Sequence, residues 1–203
     1  MRPAATLSRR PGTNLHPPSM SFTFEPLAIR DVVLVKPLRR QDERGFFEET
    51  FRASAFRGAG IDARFVQDNH ARSTKGVVRG LHYSIPPAAA GKLVGVTGGT
   101  IFDVAVDLRK RSPTFARWVS HVLDQETGEL LWIPPGFAHG YAVLSEVADV
   151  VYKVTEEYDP EVDRGIRWDD PTIDIQWPVE VPVLSERDRG LPLLSGADTP
   201  FHA

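Results

Sequence analysis

The chain has 203 residues, 24 basic and 27 acidic, for a formal net charge of −3, and no cysteine. That balance argues against a protein built to wrap nucleic acid, and the missing cysteines exclude disulfides, thiolate nucleophiles and thiolate metal sites. With 41% hydrophobic and 25% charged residues it reads as one globular domain with a sizeable core, without the roughly 20-residue apolar run that spans a bilayer.

In chain order, residues 1–21 are expected to be a disordered extension and residues 22–203 a single domain. The first stretch carries Arg2, Arg9 and Arg10, several prolines and no acid. Some organelle presequences share that composition, but so does a stretch upstream of a working start at Met20. Val32–Val35 is a β-branched run bounded by Asp31 and Pro37, hence a strand. A turn at 42–45 leads into an extended run from Phe46 to Phe51. Ser54 to Gly58 suits one short helix with Ser54 as its cap. Phe65 to His70 starts apolar and ends polar, as a strand entering a site does. Further strands are expected at 93–96, 101–108, 118–123, 130–133, 140–144 and 150–155. Short strands, glycine and proline turns and little helical periodicity predict a mainly β protein, a jelly roll or barrel with a few short helices. The tryptophan- and proline-rich ending is expected to pack on the barrel exterior or on a partner subunit.

The stretch from Gly76 to Lys92 concentrates chemistry, because it places Arg79, His82 and Lys92 close together. If it is extended, the two-residue period sets Gly80 and His82 on one face and Arg79 and Leu81 on the other. This stretch resembles the first motif of the cupin superfamily, and Pro134 to His139 resembles the second, which makes the expected fold a cupin-type jelly-roll β-barrel. Metal-binding cupins take a His-X-His pair and a glutamate from the first motif and a further histidine from the second. Here Ser84 stands in the second histidine position and Ala88, Ala89 and Ala90 where the glutamate would fall. Two imidazoles without a carboxylate make a poor tight metal site, so no metal is expected and His82 is free to act as a base.

Longer strings extend the resemblance over about residues 24–194. They include Asp42-Glu43-Arg44-Gly45-Phe46-Phe47, Phe65 to His70, Gly76 to Tyr83, Phe102 to Asp107, Ser112 to Phe115, Trp132 to Pro134, Gly136 to Gly140 and Asp163 to Ile166. Together, in this order, they are similar to the dTDP-4-dehydrorhamnose 3,5-epimerase family. The resemblance implies an isomerase, working without a cofactor, that inverts C3 and C5 of dTDP-4-dehydro-6-deoxy-D-glucose. The C–H bonds flanking the C4 carbonyl are very weak acids, whereas an ordinary imidazole has a pKa of about 6.5, so the developing enolate oxygen needs positive charge beside it. By resemblance His82 is the base, Asp188 orients it, Lys92 lies near the keto oxygen, and Tyr152 returns a proton on the opposite face.

By the same resemblance Arg44, Glu49, Gln67, Asp68, Asn69, Arg79, Lys92, His139, Asp163 and Arg187 contact the substrate. Arg187 stands where the family commonly has lysine, and Glu157 replaces an aromatic neighbour of Tyr158. The Glu157 departure, and Ala88 to Ala90 in place of a more polar loop, bear on which carbons are inverted. The partners implied are the dTDP-sugar and a second copy of the chain in a homodimer, often with exchanged strands. No nucleic acid or membrane is expected as a partner, and the expected compartment is the cytoplasm. The rival readings are a single-site epimerase or ketoisomerase of another dTDP-4-keto-6-deoxyhexose, a metal-dependent cupin using His82 and His139, and a sugar-nucleotide binding protein without turnover.

Overall fold

The computed structural model describes residues 21–202, so the expectation for the N-terminal extension lies outside the described residues save Ser21. The chain opens with β1 (Phe22–Pro26) and β2 (Val33–Pro37), then a small hairpin of β3 (Arg40–Asp42) and β4 (Gly45–Phe47), and the helix α1 (Ala53–Gly58). The barrel strands follow: β5 (Gln67–Thr74), β6 (Val78–Ser84), β7 (Lys92–Gly98), β8 (Thr100–Asp107), β9 (Trp118–Asp124) and β10 (Leu130–Ile133). Next come β11 (Phe137–Val143), β12 (Val147–Val154), β13 (Asp163–Gly165) and the one-turn helix α2 (Glu186–Arg189). Two antiparallel sheets face each other, one ordered β1-β2-β10-β7-β12-β5 and the other β13-β6-β11-β8-β9. The protein is mainly β, a cupin-like jelly roll.

Alternation along each strand explains the layering. Leu34, Val94, Val96, Ile101, Ala105, Leu131, Phe137 and Val150 point between the sheets and form one apolar cluster. Their neighbours point outward and need their own cover. On the five-stranded sheet Leu81, Tyr83, Val104, Val106 and Ala138 are covered by Ile166, Ile173, Ile175, Trp177 and Phe201 from the C-terminal strap. On the six-stranded sheet Phe56 of α1 packs with Phe22, Val35, Leu93 and Trp132. Fully burying a residue of this size stabilises by roughly 1.5–3 kcal/mol. The expected exterior packing of the tryptophan-rich ending is therefore seen within the chain, with Trp177 Nε1 donating to the Trp168 carbonyl at 2.8 Å.

Three local expectations need correction, and one strand went unforeseen. The strand β1 was not legible in advance, since Phe22-Thr23-Phe24 is short and ends in Glu25-Pro26. The extended run from Phe46 is a strand only to Phe47. The helix begins at Ala53 with Arg52 in the capping position and no side-chain capping bond, so Ser54 sits inside the first turn instead of capping it. The strand expected at 140–144 starts at Phe137, which carries His139 within the ladder.

Candidate active site

The largest departure from simple alternation lies in β6. His82 pairs with His139, but Arg79 pairs with Tyr141, so three steps on β6 match two on β11. The extra residue is a β-bulge, and a bulge re-aims side chains. Because His139 and Tyr141 share a face, His82 and Arg79 share one as well. The expected opposition of Arg79 and His82 is thus overturned. Gly80 makes the close approach: its φ is +133°, and a Cβ there would lie 2.6 Å from the Gly140 Cα.

His82 Nε2 lies 2.7 Å from Asp188 Oδ1. Asp188 is 3% exposed and sits on α2, where its backbone N–H donates to the Ser185 hydroxyl at 3.0 Å. An ionised carboxylate only accepts, so the Nε2 proton is engaged and Nδ1 is left as the basic nitrogen. Burial pushes the Asp188 carboxyl up, but bonds from His82, the Ser185 hydroxyl and the Gly80 backbone N–H, with the charge of His82, hold it below the ordinary carboxylate value. Beside the dyad, Lys92 Nζ donates to the His82 carbonyl at 3.2 Å. Burial lowers the Lys92 ammonium to about 8, against the opposing pull of Asp163 and Asp103. From the facing sheet Tyr152 reaches the same cleft, and burial raises its phenol above the ordinary value, so it holds its proton at neutral pH.

His82, Lys92 and Tyr152 line one cleft of about 230 Å³, together with Gln67, Asn69, Ser84, Ala90, Tyr158, Asp163 and Arg187. Gln67 Nε2 donates to Asn69 Oδ1 at 2.9 Å, the Tyr158 N–H donates to Gln67 Oε1 at 2.9 Å, and Arg187 pairs with Asp163. Glu156, Glu157 and Asp159 stand at its mouth. His139 is buried behind it, its Nε2 2.9 Å from Asp103 Oδ2. Burial lowers the His139 imidazole, and the charges of Lys92 and His82 lower it further while Asp103 resists. Arg79 reaches Ser73, Nε to Oγ 3.0 Å. Among the described residues no group of three or more His, Asp or Glu gathers in a metal-binding arrangement.

Six of the thirteen sequence-predicted residues do not line this cleft: Asp188 reaches it only through His82, His139 is buried, Arg79 turns to Ser73, and Asp68, Arg44 and Glu49 lie elsewhere. Asp68 follows the two-residue period to the outer face of β5 and bonds Lys153 Nζ at 3.0 Å through both oxygens. There it lines a second depression of about 390 Å³ with His70, Leu93, Leu130 and Val151, which shares Asn69 and Tyr152 with the cleft. Arg44 sits at the tip of the β3–β4 hairpin, 84% exposed and paired with its own Asp42, and Glu49 pairs with Arg52 at 2.7 Å. Asp103 was missed. The signal for it was available: a carboxylate at an inward position of the otherwise apolar run Ile101 to Val106.

A cupin-like barrel whose cleft holds a histidine–aspartate dyad, a lysine of lowered pKa and a protonated tyrosine is a barrel equipped for proton transfer. The chain belongs to the dTDP-4-dehydrorhamnose 3,5-epimerase family, whose pattern it matches over residues 26–196. It is 53% identical over 161 residues to the dTDP-4-dehydrorhamnose 3,5-epimerase of Shigella flexneri, covering 79% of this chain and 89% of that one. To the Pseudomonas aeruginosa protein of the same description it is 52% identical over 174 residues, covering 85% and 96%. Among solved structures, the dTDP-6-deoxy-D-glucose-3,5-epimerase of Legionella pneumophila in complex with dTDP-4-keto-L-rhamnose superposes with a TM-score of 0.86 at 44% identity. That match covers 90% of this chain and 99% of that one.

Proposed function

We propose that this chain converts dTDP-4-dehydro-6-deoxy-D-glucose to dTDP-4-dehydro-L-rhamnose by inverting C5 and C3 through an enolate. The observation that carries the reading is the placement of a base and an acid on opposite walls of one cleft, His82 on β6 and Tyr152 on β12. His82 Nδ1 takes the proton next to the carbonyl, and the electron pair of the C–H bond moves onto the C4 oxygen. The Lys92 ammonium stabilises that oxyanion, an interaction strongest in the transition state. Tyr152 then gives its proton to the other face of the carbon, and solvent restores both groups before the second centre reacts. Asp188 fixes the His82 tautomer and steadies the imidazolium. Arg79, Gln67, Asn69, His139, Asp163 and Arg187 hold sugar and diphosphate, the guanidinium forks suiting phosphate oxygens.

In heavy water, substrate and enzyme should incorporate deuterium at both carbons, and His82→Ala should abolish exchange at both. Exchange at neither carbon with the unaltered enzyme would overturn the assignment.

The working unit proposed is a homodimer. Arg44 and Glu49 lie outside the cleft of their own chain, on and just after a hairpin whose Phe46 and Phe47 are 57% and 73% exposed. The base of that hairpin is clamped, Arg39 Nε to Glu48 Oε2 at 2.8 Å, with the Arg39 guanidinium stacked 3.8 Å from the Phe46 ring. A rigid hairpin presenting aromatics and a cation outward suits insertion into a second copy. Mixing His82→Ala with Arg44→Ala protein should then restore part of the turnover in mixed dimers, and no recovery would place Arg44 in its own chain's site.

A further inference from the structure

We propose that Asp103 is a positioning residue of the epimerisation: it locks the His139 imidazole, directly across the ladder from His82, in the tautomer protonated on Nε2, and so leaves Nδ1 as the nitrogen that can accept from the sugar. The inference rests on the epimerase reading and begins from a contrast within one strand. Asp103 and Asp107 share the inward face of β8, and both are fully buried. Asp107 is saturated. It accepts from the Arg109 backbone N–H, Nε and Nη2, and from the hydroxyls of Ser112 and Thr114. That is how a carboxylate serving only the fold is satisfied, since a buried oxygen left unpaired keeps the full cost of losing its water.

Asp103 is left otherwise. Its Oδ2 meets His139 Nε2 at 2.9 Å, and its Oδ1 has no hydrogen-bond partner among the described residues. Nothing in the fold demands a carboxylate there; the cross-strand neighbours on its face are Tyr141 and His121. What it does have is an imidazole that registers with His82. The two pairs repeat one design on adjacent strands, His82 with Asp188 at 2.7 Å and His139 with Asp103 at 2.9 Å. The first is partly open to the cleft and can exchange protons. In the second the Asp103 carboxylate is fully buried, so it can only set the tautomer and charge of the imidazole in front of it.

The charged and titratable groups that act on His139 are His82 from β6, Lys92 from β7 and Asp103 from β8, with the Tyr141 ring of its own strand 6.2 Å away; Arg79, Tyr152 and Asp163 act on Tyr141 and Lys92 around it. Asp103 is the carboxylate bonded to His139. It also opposes the loss of the Lys92 proton.

The first test needs no variant. Histidine-¹⁵N spectra of the unaltered enzyme at neutral pH should show His139 as the neutral Nε2–H tautomer. A proton on Nδ1, or an imidazolium, overturns the proposal and leaves the epimerase reading untouched. The second test is Asp103→Asn, whose amide can face either tautomer. Turnover should fall about 10- to 100-fold, as for other partners that orient a functional histidine, with KM changed less than about threefold, and the alkaline limb of kcat should move to lower pH. Unchanged kcat with an unchanged pH profile overturns it, and so does a loss confined to thermal stability. Absence of deuterium exchange in the unaltered enzyme would fail the epimerase reading instead.

Discussion

Gly80→Ala tests the geometric basis of the site. The substitution adds one methyl group at a residue whose φ of +133° lies in the region that favours glycine, and that methyl would sit 2.6 Å from the Gly140 Cα and 3.1 Å from the His139 carbonyl oxygen. Both obstacles are backbone atoms of the neighbouring strand, so no side chain can turn aside. Backbone strain of this kind costs about 1–3 kcal/mol, and overpacking a close contact costs about 1–3 kcal/mol more. The sum, roughly 2–6 kcal/mol, is a large share of the 5–15 kcal/mol that holds a typical domain. At about 2–4 °C per kcal/mol for a chain of this size, the melting midpoint should fall by roughly 5–20 °C. Activity should fall beyond what unfolding explains, because β6 can relieve the clash only by moving away from β11. That movement carries His82 from its place and disturbs the Gly80 N–H bond to Asp188, and displacement of about 1 Å can cost 10²-fold in rate. Calorimetry and the deuterium-exchange assay, run well below the new midpoint, separate the two effects. Gly58→Ala is the control, since a Cβ there meets nothing within 4 Å. A Gly80→Ala protein that melts within a degree of the unaltered one and turns over normally would refute the argument.

Two further outcomes follow from the proton inventory. Lys92 is charged below about 8 and neutral above it, so kcat should be sustained on the acid side of that value and fall about tenfold per pH unit beyond it. Lys92→Met should lose about 10²- to 10³-fold in kcat, the usual cost of removing an oxyanion donor, and should lose the limb as well; a flat wild-type profile to pH 10 would remove Lys92 from the mechanism. Tyr152→Phe should keep deuterium washing into the substrate while inverted product falls about 10²- to 10⁴-fold, and product formed at the wild-type rate would assign the acid elsewhere.

How much of this was legible in the sequence depends on the range over which each physical cause acts. The β character was legible because it is written every second residue, and the inward positions of Val94, Val96, Ile101 and Ala105 follow that period. The same period, applied strictly, separates Asp68 from Gln67 and Asn69, although the family resemblance groups all three as substrate contacts. The period failed at Arg79 and His82, because a bulge is set by the fit between two strands and β11 lies more than fifty residues downstream of β6. Tyr152 read as a strand tyrosine, and it is one; its chemistry comes from the wall it faces. The hairpin at 40–47 read as a turn, yet nothing local says that Arg44 points away from its own barrel.

Asp188 is the hardest case, and it shows what the strap contributes. In the sequence Glu186-Arg187-Asp188-Arg189 is a charged run of the kind that usually lies in solvent, yet Asp188 is 3% exposed and 106 positions from the histidine it bonds. The barrel strands by themselves supply His82, Lys92 and Tyr152, the proposed base without its proposed orienter. The strap supplies the rest in passing. After leaving the outer face of the five-stranded sheet it adds a parallel bridge between Val183 and Val77 beside the entry to β6, then turns at Ser185 into α2. That single turn delivers Asp188 to His82 and Arg187 to Asp163. The packing of Ile173, Ile175 and Trp177 against the barrel is thus coupled to the proposed chemistry, because the carboxylate that bonds His82 arrives only when the strap is docked.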